Sequence, residues 1–307
     1  MVKQMERNLS NVEVKQPLIF ARHETFHPRF GWLKKGFDRA SRDSRVFLRD
    51  DAPVVLGVGK NMVRSIRYWA AAFKILTDDQ PTEFGQRLLG EGGWDTYLED
   101  PASLWLLHWK LLENLPESPC QATAWGYTFN QFLRAEFTFE DLFHELCDFR
   151  DRHSARTADS SIKKDVSCLL RMYVEQPTKS VTSEDSLDCP FTQLGLIHTA
   201  GDTRHFTFRI GYKPSLPAEI VVYACLQHAA RTVNSQTIPL AKLLYDQGSP
   251  GLILKLTESA LCSAIEQVEQ RYGQIRVSDA AGKLQLSFDR PALALADEIL
   301  NQYYEAV

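Results

Sequence analysis

Between Asp51 and Leu76, apolar and polar positions fall in a pattern that predicts two helices joined by a tight turn. "APVVLGV" reads as a short apolar helix, in which Pro53 is tolerated only in the first turn. A turn follows near Gly57 to Gly59. From about Asn61 onward Val63, Ile66, Trp69 or Ala70, and Phe73 recur at three- and four-residue steps, which makes one buried face of a longer helix. Lys60, Arg64 and Arg67 fall off that face. Apolar residues that dock the second helix, with polar ones left outside, predict a helix-turn-helix whose outer side meets a DNA groove. Upstream, "LKKGFDRASRD" predicts another helix. Downstream, the glycine-rich "LTDDQPTEFGQRLLGEGGWDTYLEDP" reads as a wing or connector, and "ASLWLLHWKLLEN" as a core helix.

The arrangement recurs in outline, with no repeat at the level of sequence. "TFEDLFHELCDFRDRH" predicts a helix with Thr138 as its N-cap, and "RTADSSIKKDVSCLLRMYVEQP" a second one, capped by Ser160 or Ser161 and ended by Pro177. Its apolar stripe is Ile162, Val166, Leu169 or Leu170, and Tyr173. Ser161, Lys163 and Lys164 cluster on its opening turn, where free N–H groups and the helix dipole attract phosphate, so this is a second expected DNA contact. After the polar linker "VTSEDSLDCP", a third unit is expected from Phe191. It holds a strand in "RHFTFRIGY", helices in "LPAEIVVYACLQHAAR", "TIPLAKLLYD" and "TESALCSAIEQVEQRYG", and a hairpin in "QIRVSDAAGKLQLSF" turning at Asp279 to Gly282. Helix, helix, helix, hairpin is the order of a winged helix, and an amphipathic helix, "PALALADEILNQYYEA", closes the chain. Glu266 and Glu269 on its third helix repel phosphate, so this unit is expected to bind a protein partner or a second copy. The expected fold is therefore mainly α with small β-wings, in tandem helix-turn-helix or winged-helix units. A basic unit covers 1–115, a helical one 116–185, and a winged-helix-like one 186–307.

Composition leaves the class unchanged and removes several alternatives. The 307 residues are 44% hydrophobic and 24% charged, as in soluble globular proteins. No apolar run approaches the roughly 18 residues of a membrane span. The opening "MVKQMERNLSNVEVKQ" is too polar for a signal peptide, so the expected location is the cytoplasm. Six scattered cysteines without a C-x-x-C pair fit reduced thiols better than a disulfide framework or a structural zinc site. Charge is uneven. From Lys15 to Lys74 thirteen Lys and Arg face five acids, a net of +8 that leaves −12 for the rest of a chain whose total is −4. A basic segment on an acidic protein suggests a face for a polyanion, although a solvated basic surface with no ligand has the same composition.

Chemistry concentrates at "RHETFHPRFGWLKKG". "HETFH" matches the metalloprotease pattern H-E-x-x-H, whose two His must share one helix face around a zinc ion. Pro28 disfavours helical geometry at His27, and no third ligand stands at a standard spacing, so a protease is not expected. Phosphodiester hydrolysis needs a group that activates water and cations that take the charge growing on phosphate. His23, Glu24 and His27 supply the first type; Arg22, Arg29, Lys34 and Lys35 supply the second. The bland alternative is that the histidines satisfy backbone groups while Phe26, Phe30 and Trp32 anchor the segment. "LGVGKN" lacks the spacing of a P-loop, so no nucleotide cofactor is expected.

The strings "FARHETFHPRFGWLKKGF", "LGVGKNMVRSIRYW", "GWDTYLEDPASLWLLHW" and "SIKKDVSCLLRMYV" resemble the family labelled domain of unknown function 4007, over about residues 18–300. That resemblance implies a protein encoded beside sulfate-activation-type enzymes in bacterial DNA phosphorothioation systems, one member of the family being the nicking component of a single-strand phosphorothioation defence system. It implies DNA and the other proteins of such a system as partners. The matching blocks are His23, Glu24, His27, Arg29, Trp32, Lys34 and Lys35, and Gly57, Gly59, Lys60, Asn61, Arg64, Arg67, Tyr68 and Trp69. The expectation is a DNA nickase. Arg22, Arg29, Lys34, Lys35, Lys60, Asn61, Arg64, Arg67, Ser161, Lys163 and Lys164 would hold DNA, and His23, Glu24 and His27 would activate water, with Mg²⁺ or Mn²⁺ as the compatible metal. The competing expectation is a DNA-binding adaptor or transcriptional regulator that cuts nothing.

Overall fold

A computed structural model describes residues 17–175, 189–280 and 282–306. Lys15, Pro177 and most of the polar linker lie outside the described residues. The first three helices among the described residues are α1 (Trp32–Arg42), α2 (Ala52–Leu56) and α3 (Lys60–Ala72). Pro53 sits in the opening turn of α2, where its missing N–H is no loss. Gly57 ends α2 at φ 64°, a left-handed conformation that lets the Val58 N–H reach back to the Pro53 carbonyl. Val63, Ile66, Trp69, Ala70 and Phe73 are all buried, so the predicted face of α3 is the face that docks. α1 crosses it at Gly36, where a Cβ would stand 2.9 Å from Ile66 Cγ2.

The chain then makes a minimal antiparallel hairpin, β1 (Leu76–Thr77) and β2 (Gln80–Pro81), with Asp78 and Asp79 both left-handed at its tip. Helix α4 (Glu83–Leu89) follows, capped by the Thr82 hydroxyl, and α5 (Pro101–Leu112) by the Asp100 carboxylate. Residues 102–109 of α5 are buried without a break, so α5 has no solvent face and serves as the central post of the molecule. His108 on this post pairs through Nδ1 with the Tyr173 hydroxyl at 2.8 Å and through Nε2 with the Ile253 carbonyl at 3.0 Å.

Next come α6 (Thr123–Asn130), β3 (Glu136–Thr138), α7 (Phe139–Arg152) and α8 (Asp159–Tyr173), with Thr138 and Asp141 forming a capping box on α7. Beyond the undescribed segment, β4 (Ile197–Thr199) and β5 (His205–Phe208) join β3 in an antiparallel sheet of order β3-β5-β4. The strand in "RHFTFRIGY" was expected to open the third unit. Its pairing of Phe206 with Phe137 attaches it to the second instead, because Phe137, Phe206 and Phe208 share one apolar face over Phe132. The start of α8 also differs from expectation. The helix begins after Ala158, and Ser160 and Ser161 fall inside its first turn rather than capping it.

The remaining elements are α9 (Ala218–Thr232), β6 (Thr237–Pro239), α10 (Leu240–Tyr245), α11 (Pro250–Ile253), α12 (Glu258–Tyr272), β7 (Ile275–Ala280), β8 (Lys283–Phe288) and α13 (Ala292–Ala306). Their sheet has the order β6-β8-β7. The last helix returns to the first part of the chain. Asn301 Oδ1 accepts from Arg87 and from the Trp94 indole, and Tyr304 stacks on Trp94 at 5.4 Å. The protein is mostly helical with small antiparallel sheets, and a continuous apolar cluster runs from α1 to α13.

Gly36→Leu should lower stability by about 3 kcal/mol in urea denaturation, because a large side chain at the crossing overpacks a buried contact; Gly36→Ala should cost less, as its gain in helix propensity offsets part of the clash. Burial pushes His108 down to about 3, so the ring is neutral in the fold and gains a proton when the chain unfolds below its ordinary value near 6.5. The unfolded state therefore binds the extra proton between about pH 6.5 and 3, and stability is lost as pH falls through that window. Between pH 6.5 and 5 the loss is roughly 2 kcal/mol. A melting-temperature series against pH should show a shallower acid slope for His108→Asn than for the unaltered chain.

Candidate nucleic-acid interface

Residues 21–25 form turns rather than a helix, so the histidines of "HETFH" never share a helix face. Ala21, Glu24 and Thr25 all have left-handed backbone, at φ 56°, 50° and 69°. Such conformations cost non-glycine residues of order 1 kcal/mol or more each and persist only where the surroundings over-determine them. The surroundings here are four hydrogen bonds from two helices. On α8, Asp165 Oδ1 accepts from the Ala21 N–H at 2.8 Å and from His23 Nε2 at 2.7 Å. The Arg171 guanidinium of the same helix donates to the Thr25 carbonyl at 2.7 Å. From α3 the Trp69 indole donates to the Phe26 carbonyl at 2.9 Å.

His23 is wholly buried among Tyr68, Trp69 and Trp125, and its Nδ1 has no hydrogen-bond partner among the described residues. In this arrangement the ring cannot meet water or a phosphodiester; it holds the loop. Asp165, 2% exposed, has its carboxyl pKa raised by burial, an effect that the hydrogen bond from His23 opposes. Glu24 behaves differently. Pinned between these anchors, it projects over α3, half-buried, with Oε1 3.5 Å from Arg64 Nη1.

Glu24 thereby forms one wall of an open groove of about 700 Å³, lined also by Arg22, Arg64, Arg67, Tyr68, Asp78 and Asp79. The opposite wall is the tip of the β1–β2 hairpin. A two-residue turn with both positions left-handed suits aspartate, and it turns Asp79 back onto Arg67, whose Nε and Nη2 each lie 2.7 Å from a carboxylate oxygen. Three arginines and three carboxylates therefore line the groove, Glu24 pairing with Arg64 and Asp79 with Arg67, so the groove is mixed in charge.

The other expected contacts scatter. Lys60 and Asn61 are exposed at the start of α3, continuous with the edge that carries Arg64 and Arg67. His27 is half-buried, with Nδ1 3.3 Å from the Pro28 carbonyl, and does not line the groove. Arg29 lies 5.6 Å and 5.3 Å from the ring centroids of Phe26 and Trp32. Lys34 pairs with Asp38 at 2.6 Å, and Lys35 donates to the Leu56 carbonyl at the end of α2, so both serve the packing of the first unit. Lys163 and Lys164 are exposed and Ser161 half-buried on α8, but the first residue of that helix is Asp159, an anion where phosphate was expected. Asp165, Asp78, Asp79 and Arg171 were missed in the sequence.

Among the described residues no group of three His, Cys, Asp or Glu side chains could hold a metal ion. Glu24 and Asp79 both face arginines. The residues of the groove thus do not fit a ready-made cation site. No helix among the described residues is long and apolar enough to cross a membrane.

Fold and groove together define a mainly helical protein with an arginine- and carboxylate-lined cleft against helix α3. The chain belongs to the family described as protein of unknown function DUF4007, whose model matches residues 20–304. It is similar to a crystal structure of SspB, with 39% identity, a TM-score of 0.86, and coverage of 94% of this chain and 88% of that one. A magnesium ion-bound crystal structure of SspB matches at 38% identity with the same TM-score and coverage. No curated protein sequence matches the chain.

Removing Asp165 tests the anchoring of the loop. Asp165→Ala strands the buried His23 ring and the Ala21 N–H, at a cost of roughly 3 kcal/mol in urea denaturation. Trypsin should then cut faster after Arg22, whereas Asp165→Asn, which keeps an acceptor, should be milder on both readouts.

Proposed function

We propose that this chain binds DNA and nicks one strand as a component of a bacterial phosphorothioation system, in which sulfur replaces a non-bridging phosphate oxygen. The observation that carries this reading is the likeness to SspB over 94% of the chain at 39% identity, which agrees with the family resemblance of the sequence strings. Topology supports it. Helix, strand, helix, helix, hairpin occurs as α6, β3, α7, α8, β4–β5 and again as α9, β6, α10, α12, β7–β8, with the short α11 between the last two helices. That is the winged-helix order, and α1–α3 with the β1–β2 hairpin make a reduced version of it. The chain divides in this reading into units at 1–115, 116–185 and 186–307, except that β4 and β5, which fall in the last range, pair with β3 and so complete the second unit.

In the groove, Glu24 is the group placed to take a proton from water, and Arg22, Arg64 and Arg67 are placed to take charge developing on phosphate oxygens. His23 acts through position, by fixing the loop, and His27 stays outside this constellation. Lys60 and Asn61 extend the contact along α3; Ser161, Lys163 and Lys164 would meet DNA further along the strand, with Arg29, Lys34 and Lys35 supporting the first unit. Mg²⁺ or Mn²⁺ is compatible with the magnesium-bound relative. The third unit, with Glu258, Glu266 and Glu269 on α12, is assigned to other proteins of the system or to a second copy, in the cytoplasm.

Supercoiled plasmid incubated with the protein, in parallel with Mg²⁺, with Mn²⁺ and with chelator, should be converted to open circles, and Glu24→Ala should reduce the rate at least about 100-fold. Arg64→Ala with Arg67→Ala should weaken DNA binding and reduce the slope of log affinity against log salt by about 2, one ion per lost phosphate contact. Plasmid left intact under every condition, with salt-dependent binding retained, would favour the non-enzymatic adaptor.

A further inference from the structure

Arg64 and Arg67 stand three residues apart on the exposed side of α3, and each is held by a carboxylate from a different turn. Glu24 comes from the strained loop and Asp79 from the hairpin tip, both in left-handed backbone. A carboxylate seated on a guanidinium fork occupies the donors that a phosphate would use, since both anions take the fork in the same way. Side chains three positions apart on a helix have Cβ atoms about 5–6 Å apart, which suits neighbouring phosphates of one strand.

We propose that Glu24 and Asp79 occupy a two-phosphate site when no DNA is present, so that a strand enters the groove by displacing them. This inference rests on the DNA reading given above and adds to it an internal competitor. The two pairs differ in strength. Glu24 meets Arg64 by a single long contact at 3.5 Å, with the arginine side chain 57% exposed, so this pair yields easily. Asp79 is only 11% exposed and meets Arg67 with both oxygens, so it yields less readily. Displacement has a chemical consequence at Glu24. While Arg64 holds it, one carboxylate oxygen is turned to a cation; once Arg64 turns to phosphate, that oxygen faces the groove. The proton acceptor is uncovered only when its substrate is seated, which suppresses idle water activation.

The test is a double-mutant cycle read by fluorescence anisotropy with a labelled single-stranded oligonucleotide and its duplex. Asp79→Asn removes the competing charge, while asparagine still suits the left-handed turn position, so the hairpin keeps its shape. The variant should bind about fivefold more tightly, the equivalent of an exposed ion pair no longer being broken. Glu24→Gln should give a smaller gain. In the Arg67→Ala background, Asp79→Asn should bring no gain, because the site it uncovers is gone. An equal gain with or without Arg67 would mean that Asp79 acts only as a nearby negative charge, and would overturn the proposal. Unchanged affinity in Asp79→Asn, with Arg64→Ala and Arg67→Ala still weakening binding, would overturn it while leaving the DNA reading intact. If the arginine substitutions also leave affinity unchanged, both readings fall.

Discussion

Much of the groove depends on one oxygen atom, Asp165 Oδ1, which accepts from the Ala21 N–H and from His23 Nε2. A carboxylate 2% exposed is costly to bury, and the cost is met only because two donors converge on it. Those donors come from a segment with three left-handed residues that would relax if released. Strain and anchor are therefore linked: the loop keeps its shape while Asp165 stays paired, and Asp165 stays paired while the loop keeps its shape. What this fixes is the direction of Glu24. Without the anchor, a glutamate in a surface turn would sample many positions; with it, Glu24 stands over Arg64.

The anchor is only as rigid as α8, which carries it, and α8 is fixed in turn by the core. Tyr173 near its end bonds His108 of α5, and the other ring nitrogen of His108 bonds the carbonyl of Ile253 in α11. A neutral histidine can do this because it donates from one nitrogen and accepts at the other, and burial keeps it neutral. α5 thus ties the second and third parts of the chain to one post, and α3 packs on the same apolar cluster. Arg64 and Arg67 on α3 and Asp165 and Arg171 on α8 are consequently held in register although they are far apart in sequence. A catalytic or binding constellation assembled from separate helices needs that kind of scaffold.

The helix pair α2–α3 and its turn were legible because their cues are local: a 3.6-residue period in Val63, Ile66, Trp69 and Phe73, glycines in the turn, and a proline that fits one position only. Pro28 was likewise enough to exclude a helix through His27. The burial of His23 was not legible, because its partner lies 142 residues away. A signal did exist in the acid itself, since Asp165 sits among Ile162, Val166 and Leu169 on an apolar stripe, where an unpaired charge would not survive. The partner of β5 left no such trace; strand pairing depends on which apolar faces meet, and alternation in "RHFTFRIGY" fits any sheet. The stretch that holds Asp78 and Asp79 reads as a wing or connector, and two turn-forming residues between Thr77 and Gln80 are what the two-residue hairpin found there requires. The start of α8 was misplaced because Asp159, Ser160 and Ser161 are all good opening residues, and the helix begins before any of them can cap it.

The charge count of the first segment says nothing of where its surplus lies. The net of +8 already subtracts Asp38, Asp43 and Asp51, but in the fold Arg49 is clasped by Asp43 and Asp51, Lys34 by Asp38, Arg67 by Asp79 from outside the segment, and Lys35 by a helix-end carbonyl. The exposed cations therefore fall in separate places, on an edge from Lys60 to Arg67 along α3 with Arg22 beside it, and at Arg42 and Arg45 by the end of α1, rather than on one uniformly basic face. Part of that edge is masked. The single exposed contact at Arg64 is worth about 1 kcal/mol or less, so an anion can exchange for it at small cost, whereas the two-oxygen contact of the little-exposed Asp79 on Arg67 costs more to break. Which cations are available is then a property of the bound state as much as of the sequence, and net charge alone could not have located the groove.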